Sequence, residues 1–176
     1  MNIDLPFFDQ TNFHWITETY YPEYERFLNL YNKDVSCQHH LERGGSTMFY
    51  KWDYGYPTEV DPAKDYLTFL RNSVSTTLQD ATYASSWWID YPPGSYSVAH
   101  QHIQSRRFSA ILFLSDYEWI RKWPHAGNLY SMSNAIGYKE WEPKAGNVII
   151  MDGGIHHGSY PAINERKVFV IDFEYN

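Results

Sequence analysis

The chain has 176 residues, with 21 Asp plus Glu against 14 Lys plus Arg and a formal charge of −7. That length suits one domain with a core of ordinary size, and the acidic balance argues against general binding to nucleic acid or anionic membrane, which relies on clustered positive charge. A lone cysteine, Cys37, excludes an internal disulfide, and "MNIDLPFF" followed by no run of roughly 20 apolar residues sets the expectation of a soluble, cytoplasmic protein.

Two helices are expected in the first half. In "YPEYERFLNLYNK" Pro22 stands near the start, and Tyr24, Phe27, Leu28 and Tyr31 recur at spacings of three and four, which is one face of a helix. In "VDPAKDYLTFLRNSVSTTL" Asp61 can cap, Pro62 suits the first turn, and Tyr66, Leu67, Leu70, Val74 and Leu78 line one face. Between them "GGSTMFYKWD" reads as a strand after a Gly-Gly turn.

The second half changes character. Eight short β-type runs follow: "SWWIDY", "YSVAHQ", "RFSAILFLS", "NLYSMS", "GYKEW", "NVIIM", "IHHGSY" and "KVFVIDFEY". Turn residues separate them, at Pro92-Pro93-Gly94, Gly127, Gly137, Ala145-Gly146 and Gly153-Gly154. Short strands at this density predict a sandwich or barrel. Aromatic residues make up 19% of the chain, including 16 Tyr and 7 Trp. Side chains with an apolar body and a polar tip suit a half-buried sheet or a cleft.

His100 and His102 sit two apart, so on a strand both imidazoles face the same way. They are either a polar strand face or two ligands of one metal ion. A third ligand is available at His156 or His157. Three ligands on one side of an ion leave positions open for substrate and O₂. His39-His40 reads as a surface-loop doublet, and His14 and His125 as structural or exposed.

The segment from about Tyr83 to Asn176 resembles the double-stranded β-helix of the iron(II)- and 2-oxoglutarate-dependent oxygenases, in their prolyl-hydroxylase-like branch. The likeness is carried by "WWIDYPPGSYSVAHQH", "SAILFLS", "HAGNLY", "EPKAGNVIIM" and "HHGSYPAINER", in that order. In the last of these, Pro161 and Arg166 stand four and nine residues after His157, which selects His157 over His156. The resemblance implies a single domain over residues 1–176, mainly β, with residues 1–82 as helical and strand support and residues 83–176 as the jelly-roll or cupin-like barrel. It implies Fe(II) on His100, His102 and His157. Arg166 would pair with the far carboxylate of 2-oxoglutarate, a task for its planar fork, with Lys167 as second choice. Tyr91 and Tyr96 would line the cleft. The implied reaction is hydroxylation by O₂, coupled to decarboxylation of 2-oxoglutarate to succinate. The substrate would be a small metabolite or a peptidyl residue such as proline. No feature fixes an oligomeric state.

Three positions depart from that pattern. His102 stands where the triad usually has Asp or Glu, which raises the charge of the site by one unit. Phe113 replaces a tyrosine that helps hold the cosubstrate. Asp172 falls where a bulky aromatic is usual. A rival reading keeps the architecture and drops 2-oxoglutarate. Gly94, five residues and then His-x-His resembles the first cupin motif, and "DGGIHH" the second, without the cupin glutamate. That reading implies a three-histidine metalloenzyme. A metal-free jelly-roll binding module is the third reading.

Overall fold

The computed structural model describes residues 16–33, 39–43, 46–53, 63–73, 82–102, 107–116, 122–134 and 136–174. Eleven strands and two helices occur among them: β1 (Ile16–Tyr20), α1 (Tyr24–Lys33), β2 (His39–Arg43), β3 (Ser46–Asp53), α2 (Ala63–Ser73), β4 (Thr82–Tyr91), β5 (Ser97–His100), β6 (Arg107–Phe113), β7 (Leu129–Ser133), β8 (Gly137–Trp141), β9 (Asn147–Asp152), β10 (His156–Ser159) and β11 (Arg166–Glu174). They form a seven-stranded sheet in the order β1-β9-β6-β11-β4-β3-β2 and a four-stranded sheet in the order β5-β10-β7-β8. Every neighbouring pair is antiparallel. No helix among the described residues is long and apolar enough to cross a membrane.

The central strands of the large sheet, β9, β6, β11 and β4, are buried on both faces, and period-2 alternation sorts their residues. One face carries Trp88, Phe108, Ala110, Leu112, Val148, Ile150, Phe169, Ile171 and Phe173, packed with Tyr21 and with Phe27, Tyr66, Leu67 and Leu70 of the helices. The other carries Trp87, Ile89, Tyr91, Ile111, Phe113, Ile149, Met151, Val168 and Val170, with Leu129 of the small sheet among them. The helices therefore close one side and the small sheet the other. This is the jelly-roll arrangement expected from the eight runs, each of which holds one strand from β4 to β11.

Both helices form where the apolar spacing places them. Phe27 of α1 is fully buried, its ring 5.3 Å from Tyr66 and 4.7 Å from Phe169. Arg26 donates to Glu23 at 2.5 Å and to Asp65 at 2.7 Å, joining α1 to the first turn of α2. These pairs are exposed, so packing rather than charge holds the helices down. Asp61, Pro62, Val74, Leu78 and His14 lie outside the described residues.

The first half holds more strand than its sequence suggests. β1 pairs with β9 along its whole length and is an edge of the large sheet. His39 and His40, expected in a surface loop, instead open β2, the opposite edge. The anticipated turns behave as such: Gly94, Gly127, Gly137 and Gly146 all have positive φ. At Gly146 the need is also steric, since a Cβ there would lie 2.5 Å from the Tyr20 ring.

Candidate metal centre

β10 pairs with β5, and His157 lies opposite His100 in that ladder. His102 sits two residues past His100, beyond the strand end. Its backbone N–H donates to the Gly153 carbonyl at 2.8 Å, which fixes this segment against the turn after β9. The three rings converge, with centroids 4.4 Å apart for His100–His157, 5.1 Å for His102–His157 and 5.5 Å for His100–His102. One donor nitrogen from each lies within 4.8 Å of the others, and this is the His/Cys/Asp/Glu cluster of metal-holding geometry among the described residues. His156 is exposed on the opposite face of β10, across from Met132. His125 is exposed too, with its Nδ1 2.7 Å from Glu140 Oε2.

Hydrogen bonds set how the imidazoles are presented. His100 Nδ1 lies 2.9 Å from the Val98 carbonyl, and His157 Nδ1 lies 3.0 Å from the Ile155 carbonyl. A carbonyl oxygen only accepts, so each Nδ1 carries the hydrogen and each Nε2 keeps its lone pair. That is the form a metal ligand takes, and a carbonyl behind the ring is its usual support. Burial first, and then the neighbouring His100 and His102, push the His157 pKa down to about 3. His157 is therefore neutral at pH 7. His102 is held differently. Its Nδ1 lies 2.9 Å and 3.1 Å from the two oxygens of Asp172, and 2.8 Å from Ser109 Oγ. Ser109 donates to Asp172 at 2.5 Å.

Arg166 opens β11 and is only 3% exposed. Its guanidinium carbon stands 3.9 Å over the Tyr91 ring, Nη2 donates to Ser159 Oγ at 2.7 Å, and Nη1 donates to the Gly127 carbonyl. Ser159 lies two residues along β10 from His157 and also accepts from the Ser97 N–H at 2.9 Å. Arg166 thus lies on the inner face of β11 and reaches β10 through Ser159, with Tyr91 buried beneath it. Tyr96 is half-buried in the turn that enters β5. Lys167 faces the other way, 2.6 Å from Glu165 and 3.8 Å from Asp90. Phe113, buried at the end of β6, packs in the inner cluster with Val168, its ladder partner, and presents no hydroxyl.

Asp172 stands out in the sequence only as a departure from the oxygenase pattern and Ser109 not at all, and their contact with His102 is seen only in the fold. Asp172 and Ser109 are ladder partners on β11 and β6. The one signal available was parity. Asp172 is six residues from Arg166, so the two share a face of the strand.

Two antiparallel sheets enclose the three-histidine cluster, and the fold is a double-stranded β-helix. No protein-family model matches the sequence, and no curated protein matches it at the sequence level. Solved structures do match. A prolyl-4-hydroxylase from Pseudomonas putida superposes with a TM-score of 0.69 at 21% identity, over 93% of this chain and 94% of that one. HygX from Streptomyces hygroscopicus, with nickel and 2-oxoglutarate bound, gives 0.66 at 10% identity, over 92% and 83%. The non-heme α-ketoglutarate-dependent epimerase SnoN from nogalamycin biosynthesis gives 0.70 at 10% identity, over 91% and 77%. At such identities the shared property is the fold. The site must carry the argument for function.

Proposed function

We propose that this protein is a non-haem Fe(II)- and 2-oxoglutarate-dependent oxygenase that hydroxylates a small metabolite or a prolyl residue. The carrying observation is the meeting of three imidazoles, two with Nδ1 tied back to carbonyls, with a buried guanidinium bonded to the same strand β10 at Ser159. The donor set fits a mid-first-row ion, for which imidazole nitrogen is a suitable ligand. His100, His102 and His157 would hold the iron. Arg166 would pair with the far carboxylate of the cosubstrate, its plane already set by Tyr91.

When bound, the iron with its cosubstrate supplies the oxidation: one atom of O₂ enters succinate as CO₂ leaves, and the other enters the substrate C–H bond. The chain's own task is to place and to exclude. Trp87, Ile89, Phe113, Met151 and Ile155 make the interior apolar and keep water away from the reacting centre. The neutral state of His157 keeps a lone pair available without loss of a proton. The prolyl hydroxylase and the epimerase among the similar structures show that the fold itself does not choose the reaction.

One specific observation favours a second reading, a three-histidine metalloenzyme that does not use 2-oxoglutarate. Arg166 already serves Gly127 and Ser159. Anaerobic addition of Fe(II) and 2-oxoglutarate separates the two. A visible charge-transfer band of the chelated keto acid, lost in Arg166→Ala with metal retained, supports the oxygenase. Metal binding without a band supports the second reading. No metal binding by the wild-type chain overturns both.

A further inference from the structure

The ligand set of the proposed centre is all imidazole, yet a carboxylate stands directly behind it. Asp172 is 3% exposed and lies on the inner face of β11. A buried carboxylate costs several kcal/mol unless its oxygens are met by donors. Here the donors are the His102 ring and the Ser109 hydroxyl. Two of the positions at which this sequence departs from the oxygenase pattern, 102 and 172, are therefore in hydrogen-bond contact.

We infer that Asp172 is a positioning residue that supplies, from behind His102, the carboxylate that a two-histidine, one-carboxylate centre places on the metal itself. The inference rests on the metal-centre reading above. Its chemistry is local. A carboxylate accepts, so it calls for the hydrogen on His102 Nδ1 and leaves the lone pair on Nε2. It fixes the ring plane, which among the described residues no backbone carbonyl does for this histidine as it does for His100 and His157. It also returns one unit of negative charge to the site, offsetting the unit lost when an imidazole stands in the acid position. Ser109 orients the carboxylate, since its hydroxyl reaches both Asp172 and the same ring nitrogen. Carboxylate–histidine–metal chains of this kind raise ligand basicity, and loss of the outer member typically lowers metal affinity about 10–100-fold.

An ordinary buried polar network would show the same contacts, so the test compares two ligand backgrounds. The full chain is stripped of metal and titrated with Co(II), followed by visible absorption, alongside melting in chelator. Asp172→Asn keeps the shape, but its amide can offer N–H to Nδ1 and so push the ring hydrogen to Nε2, where it blocks ligation. Its Co(II) affinity is expected to fall about 10–100-fold. In a His102→Asp background the same change is expected to leave Co(II) affinity within about threefold, because a carboxylate ligand has no ring hydrogen to place. Affinity within about twofold of wild type, or equal weakening in both backgrounds, overturns the inference and leaves the metal centre standing. Should Asp172→Asn melt far below the wild type in chelator, Ser109→Ala decides: a loss of about threefold or more supports the inference, and no loss overturns it. If the wild-type chain binds no Co(II), the oxygenase reading fails and this inference fails with it.

Discussion

Acid should weaken the metal-free protein through His157, and the size of the effect follows from its burial. His157 has an ordinary pKa of 6.5, and in the fold burial and the adjacent histidines lower it to about 3. A depressed imidazole binds its proton more readily in the unfolded chain than in the native one. Its stabilising contribution is thus fully present above pH 6.5, and it is lost as the pH falls from 6.5 toward 3. Each pH unit in that window costs about 1.4 kcal/mol, so the step from pH 7 to pH 4 costs roughly 3 kcal/mol from this one group. That is a sizeable share of the roughly 5–15 kcal/mol that holds a typical domain.

Urea unfolding of the chelator-treated protein at pH 7, 6, 5 and 4 measures it, with His157→Gln in parallel. Carboxylates also titrate at the acid end, but they are common to both proteins and cancel in the difference. The wild type should lose stability across this range by about 3 kcal/mol more than the variant does. Parallel pH profiles would refute the reasoning, since they would mean that the buried imidazole takes up its proton without penalty.

Gly158→Ala should disturb the site without touching a ligand. A Cβ there would lie 2.6 Å from the Ser97 carbonyl and 2.5 Å from the Tyr130 hydroxyl. Tyr130 can swing aside but the β5 backbone cannot, so β10 must shift and carry His157 with it. Co(II) titration should show metal affinity lowered about tenfold. Phe27→Ala removes a ring fully buried between Tyr66 and Phe169. It should cost about 3–5 kcal/mol in urea unfolding, with metal affinity unchanged while the chain is folded. Exchanging Arg166 and Lys167 for one another, as Arg166→Lys with Lys167→Arg, keeps composition and charge but turns the guanidinium outward. The keto-acid band should weaken or vanish while Fe(II) binding persists, and a band retained in full would show that the planar fork of Arg166 is not what holds the cosubstrate.

The eight strands of the barrel were legible because turn residues punctuate them and β-branched and aromatic residues fill them. The helices were legible from their apolar spacing. Two N-terminal features were less so. "ITETY" of β1 is short and largely polar, as an edge strand is, and its place in the sheet comes from pairing with β9, which no local pattern announces. β2, at the other edge, opens on two histidines that carry little strand preference. The histidine pair was visible, but which of His156 and His157 turns inward depended on register. Asp172 was hidden for a physical reason. "KVFVIDFEY" is apolar on both faces because the large sheet is covered by helices on one side and strands on the other. Alternation could not show which way the strand faces. Arg166 was visible, but its existing bonds to Gly127 and Ser159 were not, since these depend on loops brought together from distant segments.

β11 explains why these parts work as one site. It lies between β6 and β4 in the large sheet, so its backbone is bonded on both edges and its register is strongly held. Its inner face runs Arg166, Val168, Val170, Asp172, and its outer face buries Phe169, Ile171 and Phe173 against the helix side. A slip of one residue would turn Lys167 and three large apolar side chains toward the site and bury Arg166 and Asp172 among aromatic rings. The energy that excludes this slip is the apolar packing of the outer face. That packing therefore sets both polar ends of the inner face, the guanidinium beside Ser159 and the carboxylate behind His102. Weakening the helix-side core should reach the metal centre only when β11 itself moves. The strand can thus hold two groups of opposite charge inside one apolar barrel, each met by its own partners and neither paired with the other.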